Sequence, residues 1–176
     1  MTELTWHVLS LIPRNLEDVR EIPARLLANY DVCNVILMVY LKDEGVFDAP
    51  LEKIWRFLQD DTHEHRSVKI SKVLEQSEKH MVVEMEATSA NGKSKLKETA
   101  KFTFNPPTGF DMEFLSGPMV GTRHTHKYTP MGDKTKVEVA GEFKIQGLND
   151  EATMKAALAF LDEVFNEDNS ALKKYK

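Results

Sequence analysis

The sequence has one cysteine, Cys33, among 176 residues. That excludes an internal disulfide and a cysteine-based metal cluster. No activating base stands at a recognisable spacing, so Cys33 reads as a plain buried thiol. Long hydrophobic runs are missing too: none approaches the ~18 apolar residues of a membrane-spanning helix. The N-terminus lacks the basic start and small-residue cleavage site of a signal peptide. A cytoplasmic setting is the expectation. Positive charge is in deficit, with 23 Lys and Arg against 28 Asp and Glu and a formal net charge of −5. Phosphate binding rests on a concentrated basic surface, so nucleic acid is not an expected partner. Nothing in the composition points to disorder or to collagen-like repeats.

What is present is a hydrophobic fraction of 41%, enough to fill the core of one domain. The first 37 residues are weakly patterned. Trp6 to Ile12 is apolar, and a possible helix from Leu16 to Asn29 is interrupted by Pro23. This segment reads either as an added strand and helix or as an over-long gene start with Met38 as the true initiator. From Met38 the pattern is regular. "MVYLKDEGVF" is a strand. "DAPLEKIWRFLQD" starts a helix, with Asp48 as cap, Pro50 in the first turn, and Ile54, Trp55 and Leu58 as an apolar stripe. "DTHEHRS" is a polar connector or a second short helix. Six strand-like runs follow, separated by turn signals that include Asn91-Gly92, Asn105 to Gly109, Ser116-Gly117-Pro118 and Gly132-Asp133, so neighbours are expected to pair antiparallel. The last segment, Glu151 to Lys173, is a long helix capped by Asn149 or Asp150. Met154, Ala157, Leu158, Leu161 and Phe165 share one face, and Leu172 extends it.

This order of elements resembles the START-like superfamily, also called SRPBCC. Its helix-grip fold is that of the birch-pollen allergen and of polyketide cyclase-like proteins. The residues that carry the resemblance are "VFDAPLEKIWRFL", "GPMVGTRHTHKYTPMGDKTKVEV" and the closing helix, within Met38 to about Lys173. The resemblance implies an α+β domain over 38–176, preceded by the extension 1–37. A curved seven-stranded antiparallel sheet would wrap a long C-terminal helix, with two short helices after the first strand. It also implies a cavity between sheet and helix that accepts a small hydrophobic or amphipathic ligand, with no cofactor. "DTHEHRS" is more polar than the aromatic-containing connector of many relatives, and residues 1–37 have no counterpart in a minimal member.

Period-two alternation assigns the faces. Arg123, Thr125 and Lys127 form the solvent side of their strand, so Thr122, His124, His126 and Tyr128 point inward. If the Gly132-Asp133 hairpin pairs Tyr128 with Val137, then His126 faces Val139 and His124 faces Gly141, which leaves space beside His124. Glu98 is the other inward polar residue, two strands away and not expected to contact the histidines. Met85, Phe102, Met112, Phe114 and Phe143 form part of the apolar side.

Three readings of the histidine pair stand. They are polar filling at a wet cavity mouth, groups that orient a carbonyl or hydroxyl of a ligand, or metal ligands helped by His63 or His65. Zinc needs three or four ligands and no acidic partner stands at a recognisable spacing, so no metal is assigned. For function, ligand binding leads. A cyclase or dehydratase-like enzyme using His and Tyr as acid and base is an alternative, and so is a chaperone-activator-like partner-binding protein. Trp55 reads as core packing, "SGPMVG" as a hairpin connection near the rim, and the acidic "DEVFNED" as solvent-facing surface.

Overall fold

Alternating sequence becomes strand and three-to-four spacing becomes helix throughout the computed structural model, which describes residues 38–60, 63, 65–88 and 95–176. In chain order the elements are β1 (Val39–Phe47), α1 (Leu51–Leu58), β2 (Val68–Gln76), β3 (His80–Thr88), β4 (Lys95–Asn105), β5 (Gly109–Ser116), β6 (Arg123–Met131), β7 (Lys134–Phe143) and α2 (Asp150–Leu172). The strands form one curved sheet in the order β1-β7-β6-β5-β4-β3-β2, with every neighbouring pair antiparallel. β1 pairs with β7, the last strand, so the two ends of the strand series meet on one side of the sheet. The expected α+β helix-grip architecture is the observed one. The expected strand and helix within 1–37, the buried Cys33 and the Asn91-Gly92 hairpin lie outside the described residues. The second short helix falls partly there as well; His63, His65, Arg66 and Ser67, which are described, are not helical.

The β6–β7 turn is Gly132-Asp133, with Gly132 at φ 73° and Met131 paired to Lys134. A positive φ at the first of two central residues, which glycine adopts without a Cβ clash, fits the right-handed twist of the flanking strands. It locks the register Tyr128–Val137, His126–Val139, His124–Gly141.

Four local expectations are corrected. Asp48 does not cap α1: Pro50 is the N-cap residue and no side chain caps it. Asp48 instead accepts a hydrogen bond from Lys134 Nζ at 2.8 Å, across to the β7 hairpin. α1 buries Leu51, Ile54 and Phe57, while Trp55 is only half-buried and lies outside the core clusters. At about 100° per residue Trp55 falls on the flank of that stripe. On α2, Met154 is 43% exposed. Asp150, Glu151 and Lys155 beside it are exposed as well, and Thr153 is the buried residue of this first turn. "DEVFNED" is not simply a solvent face, because Asp168 is buried at 8% exposure. Asn149 supplies the cap, its Oδ1 accepting from Ala152 N at 2.9 Å, and Leu172 is buried as expected.

α2 lies against β1, β7 and α1. The buried apolar residues accordingly form two clusters. One gathers Leu41, Phe47, Ile54, Phe57, Val137, Phe143, Ala157 and Leu161 beneath the helices. The other, Val83, Met85, Ala100 and Phe114, belongs to β3–β5, and Met119 packs against both.

Candidate functional site

β6 delivers the inward row. Its residues alternate exposed and covered: Arg123, Thr125 and Lys127 are exposed, while His124 and Tyr128 are buried and His126 is half-buried. Thr122, just before the strand, is fully buried. The row runs along the boundary between the two apolar clusters. The His124 ring stacks on Phe143 of the helix-side cluster, with centroids 5.0 Å apart, and lies 6.3 Å from Phe114 of the β3–β5 cluster. His126 stacks on Phe110 at 4.4 Å, and the two imidazoles are 5.0 Å apart. The Phe110–His126 stack follows from their cross-strand pairing and was readable once β5 and β6 were aligned.

Burial makes this a neutral polar row. It pushes His124 down to about 4 and His126 well below the ordinary imidazole range, the latter helped by the neighbouring His124. Burial also raises the Tyr128 phenol, aided by the negative charge of Asp168 on α2. Thr122 is committed to structure: its Oγ1 donates to Lys144 O and accepts from Lys144 N, both at 2.9 Å. His124 Nδ1 is different, being buried with no hydrogen-bond partner among the described residues.

Gly141 does not leave a space beside His124. A Cβ there would come within 2.1 Å of Arg123 O and 2.4 Å of His124 Cα. Its missing side chain is what lets β6 and β7 approach at this point.

Glu98, on β4, is 5% exposed, and no hydrogen bond or opposite charge among the described residues acts on its carboxyl. Burial raises it to about 7. No hydrogen bond joins it to the histidines, as its position two strands away implies. Among the apolar candidates Met85, Phe114 and Phe143 are buried, whereas Phe102 and Met112 are half-buried against the β3–β5 cluster. The loop "SGPMVG" is a hydrogen-bonded turn, with Val120 N donating to Gly117 O at 3.1 Å and Thr122 N to Met119 O at 2.9 Å.

The other face of the sheet carries a shallow depression of about 350 Å³, lined by Thr103, Asp111, Glu113, Arg123 and Thr125 among others. His124 and Met112 also contribute to its lining, and several of its polar groups pair with one another, as in Arg123–Glu113 at 2.6 Å and Thr125–Asp111 at 2.5 Å. His63 and His65 do not reinforce the β6 histidines: they meet Asp168 and Glu167 of α2.

Comparison with known proteins bears on the fold that carries this row. Residues 38–175 match the family described as polyketide cyclase / dehydrase and lipid transport. No curated protein sequence matches the chain. Among solved structures, a START superfamily protein from Mycobacterium smegmatis superposes with a TM-score of 0.66 at 11% identity, covering 78% of this chain and 99% of that one. The Zhui aromatase/cyclase from Streptomyces sp. R1128 superposes at 0.52 with 18% identity, covering 78% and 89%. A conserved protein from Geobacillus kaustophilus does so at 0.61 with 12% identity, covering 77% and 96%. At such identities the superpositions speak for the fold alone. The match over 38–175, together with a sheet gripping its last helix, makes this chain a member of the polyketide cyclase / dehydrase and lipid transport family.

Proposed function

We propose that the protein binds a small hydrophobic or amphipathic molecule on the concave face of the sheet, beside α2. The observation that carries this reading is His124 Nδ1, buried between two apolar clusters without a partner among the described residues. A buried polar atom left unpaired costs about 1–3 kcal/mol, and a ligand hydroxyl or carbonyl would recover it. Because both imidazoles are held neutral, the row suits an uncharged polar group better than an anion. Met85, Phe102, Met112 and Phe114 supply apolar surface on one side and Phe143 on the other. Binding sites commonly combine such a lining with a few convergent polar groups.

Native mass spectrometry of freshly purified protein, followed by titration with two uncharged probes, a fluorescent sterol and N-phenyl-1-naphthylamine, tests this. We expect a co-purified lipid-like mass or saturable uptake of a probe, with the sterol, whose hydroxyl can pair with the imidazole, bound about tenfold more weakly by His124→Ala. A protein that is empty and takes up neither probe would overturn the reading.

Glu98 favours a second reading. A carboxyl raised to about 7 can donate and accept protons near neutrality. With His124, His126 and Tyr128 it would serve a cyclase or dehydratase-like reaction. In that case His124→Ala or His126→Ala abolishes turnover of a polyketide substrate while its binding survives.

A further inference from the structure

The connector after α1 and the end of α2 bring a second group of side chains together, distinct from the β6 histidines. We propose that His63, His65 and Asp168 bind a divalent transition-metal ion of the zinc class, joining the connector to α2. One potential ligand atom from each residue lies within 4.8 Å of the other two. His63 Nε2 stands 2.9 Å and His65 Nδ1 3.7 Å from the same oxygen, Asp168 Oδ1. Donors bound about 2.1 Å from a tetrahedral ion are about 3.4 Å apart, so a small adjustment of one ring would place all three around an ion.

The His63–Asp168 hydrogen bond by itself would explain two of these residues as a simple tether. It leaves His65 unexplained. That ring stands edge-on to His63, with centroids 4.7 Å apart. Its Nδ1 is buried, aimed at the carboxylate and without a hydrogen-bond partner among the described residues. Two imidazole nitrogens converging on one carboxylate oxygen is the arrangement a shared ion would need.

The surroundings fit as well. The three side chains are only 11–19% exposed. Phe57 closes one side, its ring 4.2 Å from His63, and is backed by Tyr175 at 5.3 Å. Glu167 Oε2 lies 3.5 Å from His65 Nδ1, but Arg66 holds that carboxylate through its side chain at 2.5 Å and its backbone N–H at 3.1 Å. Glu167 thus adds negative charge without being free to displace Asp168. Two imidazoles and a carboxylate suit zinc, cobalt, nickel or copper rather than magnesium or calcium, which prefer all-oxygen sites. Three protein ligands leave a fourth tetrahedral position for water.

The test uses the full chain, freed of metal with a chelator and titrated with Zn²⁺ against a chromophoric chelator. One equivalent should bind, and the visible spectrum of the Co²⁺ form should report a nitrogen–oxygen donor set. His65→Ala removes no hydrogen bond to the described residues, so it should keep the far-UV circular dichroism while lowering Zn²⁺ affinity at least about tenfold. Asp168→Asn should do the same, and His80→Ala should bind as the parent does. Zn²⁺ should raise the Tm of the parent but not of His65→Ala, since an ion that binds only the native state stabilises it. Failure of the parent to bind Zn²⁺ below about 100 µM would overturn the proposal. So would unchanged affinity in His65→Ala, or loss of binding in His126→Ala instead.

Discussion

Glu98 sits on the inward side of β4 among Met85, Ala100 and Phe114, with nothing among the described residues to neutralise its charge. Burial raises its carboxyl from 4.5 to about 7, so the folded protein holds a proton there that the unfolded chain releases. Its contribution to stability is therefore full below pH 4.5 and is lost as pH rises through about 7. Glu98→Gln should abolish that loss. In urea titrations the variant should exceed the parent at pH 8 by ~1–2 kcal/mol, less than the bare shift implies because solvent screens part of the charge, with little difference at pH 5. Parallel pH profiles would show that Glu98 is ionised in the fold. His124 and His126 act with the opposite sign. Buried as neutral rings, they favour the fold above about pH 6.5 and weaken it as pH falls toward 4, where only the unfolded chain takes up protons. The inward direction of these residues was legible because period two leaves one choice once Arg123 and Lys127 are set outside. Asp168 was misread because its charge outweighed its phase. It stands seven residues after Leu161, in step with the buried stripe, and the histidines that receive it come from a connector more than a hundred residues earlier.

At the level of elements, β6 and β7 meet closely because position 141 has no side chain. Gly141→Ala would set a Cβ against the backbone of Arg123 and His124, which must then separate or tilt. We expect a loss of about 1–3 kcal/mol and a fall in Tm of about 3–10 °C, accompanied by weaker probe uptake because His124 moves with its backbone. A calorimetric scan and one fluorescence titration would decide it; an unchanged Tm would mean the strands have more room than their separation suggests. Most strands were readable because the run is bounded by a turn signal and alternates within it, and the Gly132-Asp133 hairpin transferred its register to the whole row; β2, exposed almost throughout and irregular in its pairing with β3, does not alternate. α1 was less clear. In an eight-residue helix the choice between Trp55 and Phe57 as the core aromatic depends on which side the sheet lies, and local spacing does not contain that information.

For the molecule as a whole, β1 pairing with β7 brings the first and last strands side by side, with α2 across them, so the 38–176 stretch contains a complete sheet and the helix it grips. A protein begun at Met38 should fold cooperatively, with the far-UV spectrum of the parent and a Tm within a few degrees of it. A loss of cooperativity would show that residues 1–37 belong to the fold's stability. The grip architecture was legible from the order of elements, and the family match covers the same stretch. The division of the interior was not legible, because it depends on where α2 comes to rest. That division has an evolutionary consequence. The packing that keeps the chain folded is concentrated under the helices, while much of the surface a guest would touch belongs to β3–β5. If a guest binds as proposed, substitutions at the half-buried Phe102 or Met112 would let preference drift from one guest to another while the larger cluster under the helices stays in place.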